Sequence, residues 1–194
     1  NALVPGFDLG SSTANPPVTL GGSYGSSYDV GEDTEFGFFA AANYRNEWSQ
    51  RTAGISRTYA GDVDQGTQIE LDDFTFEEST NNVEISGLLN FGLSRGNSNY
   101  SANTLLSRVT ESRAQQSFGV DGDALLPSIR QTILYIERQF FSQQFAGDHV
   151  FGGREQWILD WQITGSQANR DAPDRRDARF DLEGGDGFYN LQVP

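Results

Sequence analysis

A strict period of two in the apolar residues constrains this chain more than any other feature. From Glu35 to Arg45 the even positions Phe36, Phe38, Ala40, Ala42 and Tyr44 are all apolar, and the intervening residues are mostly small or polar. From Val83 to Ser94 the odd positions read Val83, Ile85, Gly87, Leu89, Phe91 and Leu93. Tyr100, Ala102, Thr104 and Leu106 repeat the pattern, as do Trp157, Leu159, Trp161 and Ile163. Successive side chains of a strand point to opposite faces, so each segment reads as a strand with one greasy and one wet face. Two segments are less regular. Val18–Tyr28 is rich in Gly and Ser, with Leu20, Tyr24 and Tyr28 roughly on one side. Gln131–Ala146 carries apolar groups on both parities, which a β-bulge near Phe140–Phe141 reconciles by resetting the register.

Composition narrows the class. Aromatic residues make up 12% of the 194 positions and Gly numbers 22, a mix that favours strands and argues against disorder. The longest apolar run, Phe36–Ala42, is broken by Gly37, far short of the roughly 18 residues of a membrane helix. The net charge is -14 and all 13 bases are arginine, so the chain repels phosphate backbones and nucleic-acid binding is not expected. Without cysteine, neither a disulfide scaffold nor a thiolate metal site can form. There is no Met and no signal peptide at Asn1, which suggests a processed mature chain or a piece of something longer.

The connections alternate in length. Short turns are expected at Asp29–Thr34, Arg95–Ser98 and Gly147–Gln156, and long polar loops at Ser49–Asn81, Ser112–Arg130 and Asp171–Gly187. Short turns on one side and long loops on the other characterise transmembrane barrels, whose long loops lie outside the cell. Tyr44, Trp48, Tyr100 and Trp157 fall where such barrels carry interfacial aromatic girdles. The expected fold is therefore all-β, an antiparallel transmembrane β-barrel segment. It has six strands, or eight if Arg51–Tyr59 and Ala178–Leu182 contribute. A soluble β-sandwich shares the alternation, but uncharged greasy faces and lopsided connections disfavour it.

Candidate chemistry is sparse. Gly21-Gly22-Ser23-Tyr24-Gly25 matches the G-x-S-x-G nucleophile elbow, but no helical period follows it, and the single histidine, His149, reads as a solvated turn residue. Asp62-Val63-Asp64-Gln65-Gly66 opens like a calcium loop. Its glycine comes one place early, and Asp73 stands where a bidentate Glu belongs. Asp121-Gly122-Asp123 is weaker still. Asp62–Glu78 carries seven acids and no base, and reads first as a self-repelling solvated loop and second as a cation-capturing one. No phosphate loop or zinc motif appears, and no separation between acids is fixed by sequence, so no catalytic, cofactor-binding or metal residue is assigned and an enzyme is not expected.

Several segments resemble TonB-dependent outer-membrane receptors. Asn82–Gly92 with Asn103–Glu111 is one, and Tyr135–Arg138 leading to Phe145–His149 is another. Leu159-Asp160-Trp161-Gln162 followed by Asn169–Arg176 matches best, and Phe36–Tyr44 fits a strand of the same barrel. The resemblance implies a parent that imports a scarce solute such as a siderophore, cobalamin or a carbohydrate across the outer membrane of a Gram-negative bacterium. It also implies partners: membrane lipid, the protein's own plug domain, the TonB energy-coupling complex and a small solute. A full receptor barrel of about 22 strands does not fit in this length, and neither plug nor coupling box is recognisable. Residues 1–194 are thus expected to be a fragment of the barrel. Even-numbered Phe36–Tyr44 and odd-numbered Val83–Leu93 would face lipid, and Arg45, Glu84, Asn90 and Asp160 would face the lumen as plug contacts. The alternatives are a small complete outer-membrane barrel acting as an adhesin or structural protein, and a secreted glycan-binding β-sandwich.

Overall fold

A computed structural model describes residues 9–10, 13–62, 67–122, 125–153, 155–182 and 189–192. They form one antiparallel sheet with strands in consecutive order: β1 (Val18–Gly31), β2 (Thr34–Asp62), β3 (Thr67–Arg95), β4 (Ser98–Asp121), β5 (Leu126–Phe151), β6 (Trp157–Leu182) and the short β7 (Tyr189–Gln192). The sheet is barrel-like but not closed, with β1 at one edge and β6 and β7 at the other. No second sheet packs on it, so the two-layer core of a sandwich is missing among the described residues. Only three apolar side chains, Phe74, Ile136 and Ala178, are buried there, while Leu20, Tyr24, Trp157 and Ile163 are each more than 60% exposed.

The short turns lie as expected. Glu32–Asp33, Gly96–Asn97 and, among the described residues, Gly152–Gly153 with Glu155–Gln156 lie between the strands at one end of the sheet. Gly96 sits at φ +56°, a conformation that favours a residue without Cβ. Its amide donates to the Asp33 carbonyl at 2.9 Å, and the Val150 amide donates to the Asn97 carbonyl at 2.9 Å, tying neighbouring turns together.

The long polar stretches are not loops. Ser49–Asp62 and Thr67–Asn81 continue β2 and β3 as a paired ladder, Ser112–Asp121 and Leu126–Arg130 continue β4 and β5, and Asp171–Leu182 continues β6, while 183–187 lie outside the described residues. Arg51–Tyr59 and Ala178–Leu182 lengthen existing strands and add none. Polar and charged residues there pair with polar and charged residues on the next strand, so no apolar alternation marks the ladder and its polarity mimicked a loop. Tyr44 and Trp48 consequently lie within β2, not near a strand end. The bulge also moves. β4 and β5 pair without interruption past Phe140–Phe141. The register breaks instead between Tyr135 and Glu137, where Ile136 opposes Ala172 and Pro173. Proline has no N–H for the ladder and marks such a break.

A second bulge in β2 sets Thr52 and Ala53 against Glu77, with Ala53 at φ +60°. At the far ends of the strands, Arg130 lies 4.1 Å over the Phe74 ring and 2.7 Å from Asp121. Arg179 bridges Asp121 at 2.8 Å and Asp181 at 2.8 Å, and the Ser128 hydroxyl donates to Asp181 at 2.6 Å. This buried clamp holds β3 to β6 together where no apolar layer exists to do so.

Candidate functional site

Register assigns every side chain to a face, because residues directly opposite across an antiparallel pair point the same way. Phe38 faces Phe91, which faces Ala102, then Phe145, then Ile163. One face therefore collects Val18 to Tyr28 at even positions, Phe36 to Tyr44, Val83 to Leu93 at odd positions, Tyr100 to Leu106, Phe141 to Phe151 and Trp157 to Ile163. Within these windows it carries no Asp, Glu or Arg. The opposite face of the same strands carries Asp29, Glu35, Arg45, Glu84, Asp148 and Asp160.

The apolar window is oblique to the strands. Its upper edge lies at Tyr44 on β2 but at Ile163 on β6, which is level with Phe38, six residues lower. Six residues are about 20 Å along a strand, and four strand spacings are about 19 Å across, so this upper edge runs at about 45° to the perpendicular of the strands. The lower edge is level from β1 to β4, at Tyr28, Phe36, Leu93 and Tyr100, and drops by four residues at β5 and β6. Measured across that slant, Phe36–Tyr44 spans about 19 Å and Val83–Leu93 about 24 Å. On β4 charge begins directly above the edge on the same face with Arg108, which pairs with Glu137.

Aromatic groups gather at the short-turn edge of the window. His149 is 8% exposed and lies within β5, not in a turn as the sequence suggested. Its ring is 5.0 Å from Tyr100 and 5.8 Å from Phe151, and the Trp161 indole N–H donates to its Nε2 at 2.9 Å. Gly147 makes the room. A Cβ there would meet the Trp161 ring at 2.6 Å.

The polar face is laced by a transverse ladder. Asn90 donates to Asn103, Asn103 to Gln144 at 3.0 Å, and Gln144 to Thr164 at 3.4 Å, joining β3 to β6. Arg45, Glu84, Asn90 and Asp160 all lie on this face but do not form one cluster. Arg45 opposes Glu84 and bridges Glu47 at 3.4 Å, while Asp160 opposes Asp148, which accepts from Asn99 at 2.8 Å. The sequence reading missed Asn103, Gln144 and Thr164. The turn at Gly96–Asn97 fixes the β3–β4 pairing and puts Asn103 opposite Asn90, so the signal was present.

The sequence motifs come apart. Gly21–Gly25 runs inside β1, and β2 follows through a two-residue turn, so Ser23 stands on no strand-to-helix elbow. Of the acidic motifs, 63–66 and Asp123 lie outside the described residues. The described acids of Asp62–Glu78 belong to a strand, not a solvated loop, and neighbouring strands supply the missing bases. Arg57 reaches Asp73 at 2.9 Å and Glu70 at 3.9 Å, Arg130 lies 3.7 Å from Asp72, and Arg113 lies 3.8 Å from Glu78. The Asp73 hydrogen bond, then its charge, raise the Arg57 pKa above its ordinary value. Hydrogen bonding to Arg179 holds Asp181 below the usual carboxylate range, and Arg175 does the same for Asp177. No three His, Asp or Glu side chains among the described residues are placed to hold a metal ion. No protein-family model matches the chain, and no curated protein matches it.

Proposed function

We propose that this chain is part of the wall of an outer-membrane β-barrel of the TonB-dependent receptor type, and that its parent imports a scarce solute. One observation carries the reading: the apolar, charge-free band that crosses six consecutive strands obliquely. Strands of outer-membrane barrels tilt by roughly 35–45° and present a lipid-facing band about 25 Å tall. A band whose upper edge slants by about 45° and whose height is about 19–24 Å is in keeping with both values. The aromatic group around His149 and Trp161 then sits at the interface on the short-turn side, which is periplasmic in such barrels. The ladder face borders the lumen, and the paired strand extensions project from the cell. The choice of an importer over any other barrel rests on the sequence resemblance.

The test uses the full-length parent in its own cells. The protein should fractionate with the outer membrane, migrate faster unheated than heated on a gel, and be captured by the periplasmic domain of the energy-coupling protein. A heat-modifiable outer-membrane protein that is never captured would leave a barrel and remove the importer. Recovery in the aqueous phase without detergent would remove both.

A further inference from the structure

On the polar face, above the band, two transverse rows of three residues enclose an open hollow of about 340 Å³: Ser107, Phe140 and Ala168 in one row, Val109, Arg138 and Arg170 in the other. Arg138 and Arg170 are direct cross-strand partners. Like charges placed so repel one another. Arg138 is partly compensated by Glu111 at 3.3 Å, but Glu111 also serves Arg113 at 2.7 Å. No carboxylate among the described residues lies within ion-pair distance of Arg170, which is exposed. The other charges on this face nearby are Glu84, two strands from Arg138 in the same row and opposite Arg45, Glu78 beside Arg113, and Arg175, which pairs with Asp177 at 2.9 Å higher on β6. In a chain of net charge -14, this hollow is a local excess of guanidinium above an apolar floor.

We infer that the hollow is a subsite for the carboxylate of a small solute with an apolar body, such as an aromatic acid. Guanidinium forks match a carboxylate in plane and spacing, and one anion between Arg138 and Arg170 relieves their repulsion. Val109, Phe140 and Ala168 take the apolar body, while Ser107 offers a hydroxyl at the rim. The volume is near the small end of ligand sites. The inference rests on the reading of this face as lumenal, since only then does a solute arriving from outside meet it above the membrane.

Benzoate and its neutral counterpart benzamide are the probes, titrated by ligand-observed NMR against the full-length parent in detergent. Benzoate should bind about tenfold or more tightly than benzamide. R170Q should weaken benzoate about tenfold and leave benzamide unchanged, R170K should restore part of the loss, and A168F should block both by filling the floor. Equal binding of the two probes, or an R170Q protein that holds benzoate as well as the parent, overturns the subsite. Phenyl phosphate binding far above benzoate would reassign it to phosphate esters. Heat-modifiable migration of each variant reports the barrel separately. A lost barrel signature with Arg170-dependent benzoate binding would thus refute the lumenal reading and spare the hollow.

Discussion

The sharpest test of the face assignment is a depth series of arginines along β3. Leu89 lies on the apolar face, 45% exposed, level with Tyr24, Ala40 and Thr104. On β3 the window runs from Val83 to Leu93, so Leu89 is four residues from its lower edge, about 10 Å measured across the slant. On the proposed reading that is close to the middle of the hydrocarbon. Arg in the middle of such a band costs about 2–4 kcal/mol, and near an interface about 0–1 kcal/mol. L89R should therefore destabilise by about 2–4 kcal/mol and L93R by less than about 1 kcal/mol. Ala41 projects from the other face, opposite Ser23 and Leu88. If that face borders a hydrated lumen as proposed, A41R should cost no more than L93R. Denaturant titrations of the parent folded into lipid vesicles measure each value. Equal costs at Leu89 and Ala41 would refute the assignment of faces, and equal costs at Leu89 and Leu93 would refute the slanted band.

Further outcomes follow from the same geometry. Residues 1–194 lack cysteine, so in a parent with any cysteine elsewhere replaced, L125C and G153C give single labels; a membrane-impermeant maleimide on intact cells should modify the first, which is 77% exposed at the far strand ends, and spare the second. G147A should cost about 1–3 kcal/mol through overpacking against Trp161, read in the same denaturant titration. Asp181 and Asp177 have depressed pKa values, so their contribution is present above the unfolded carboxylate value of about 3.9 and is lost as pH falls through the folded values below it. Protection of the amides at the far ends of β5 and β6, taken relative to their intrinsic exchange rates, should accordingly fall below about pH 4, while D181N should show reduced protection there even at pH 7.

The windowed parts of the strands were legible because one face is apolar and the other is not. In β3 and β4 the two-residue turn at Gly96–Asn97 even fixes the register, and with it the pairing of Asn90 with Asn103. The strand extensions were illegible for the opposite reason. Both faces of Arg51–Tyr59 are solvated, and the pairing is written in charges on different strands, Arg57 with Asp73 and Arg130 with Asp121 and Asp72. Nothing local distinguishes such a ladder from a loop. Phe140 and Phe141 misled because adjacent apolar residues suggest a reset register. They occupy opposite faces of an unbroken strand, Phe141 in the band and Phe140 in the hollow beneath Arg138. Pro173 was the better marker, since a missing donor breaks a ladder wherever it falls.

The free edges of the sheet decide what the band can be used for. Within the band, the outer side of β1 and the Trp157–Ile163 portion of β6 pair with no described strand, since β7 meets only Arg179–Leu182. About half the backbone N–H and C=O groups of these segments point outward, and each left unsatisfied in hydrocarbon costs several kcal/mol. The sum is tens of kcal/mol, far beyond the whole stability of a domain. The sheet can therefore lie in lipid only if further strands cover both edges. In water the same face would bare Leu20, Tyr24, Leu89, Leu106, Phe145 and Ile163 together, a patch beyond what soluble monomers tolerate. On this reading neither solvent accepts the described sheet by itself. Expressed alone and refolded with vesicles, the 194-residue polypeptide should aggregate or demand detergent, and should give no protease-resistant monomer. A monodisperse monomer with channel conductance would mean that β1 finds a partner within this polypeptide, and the reading would pass to a small closed barrel.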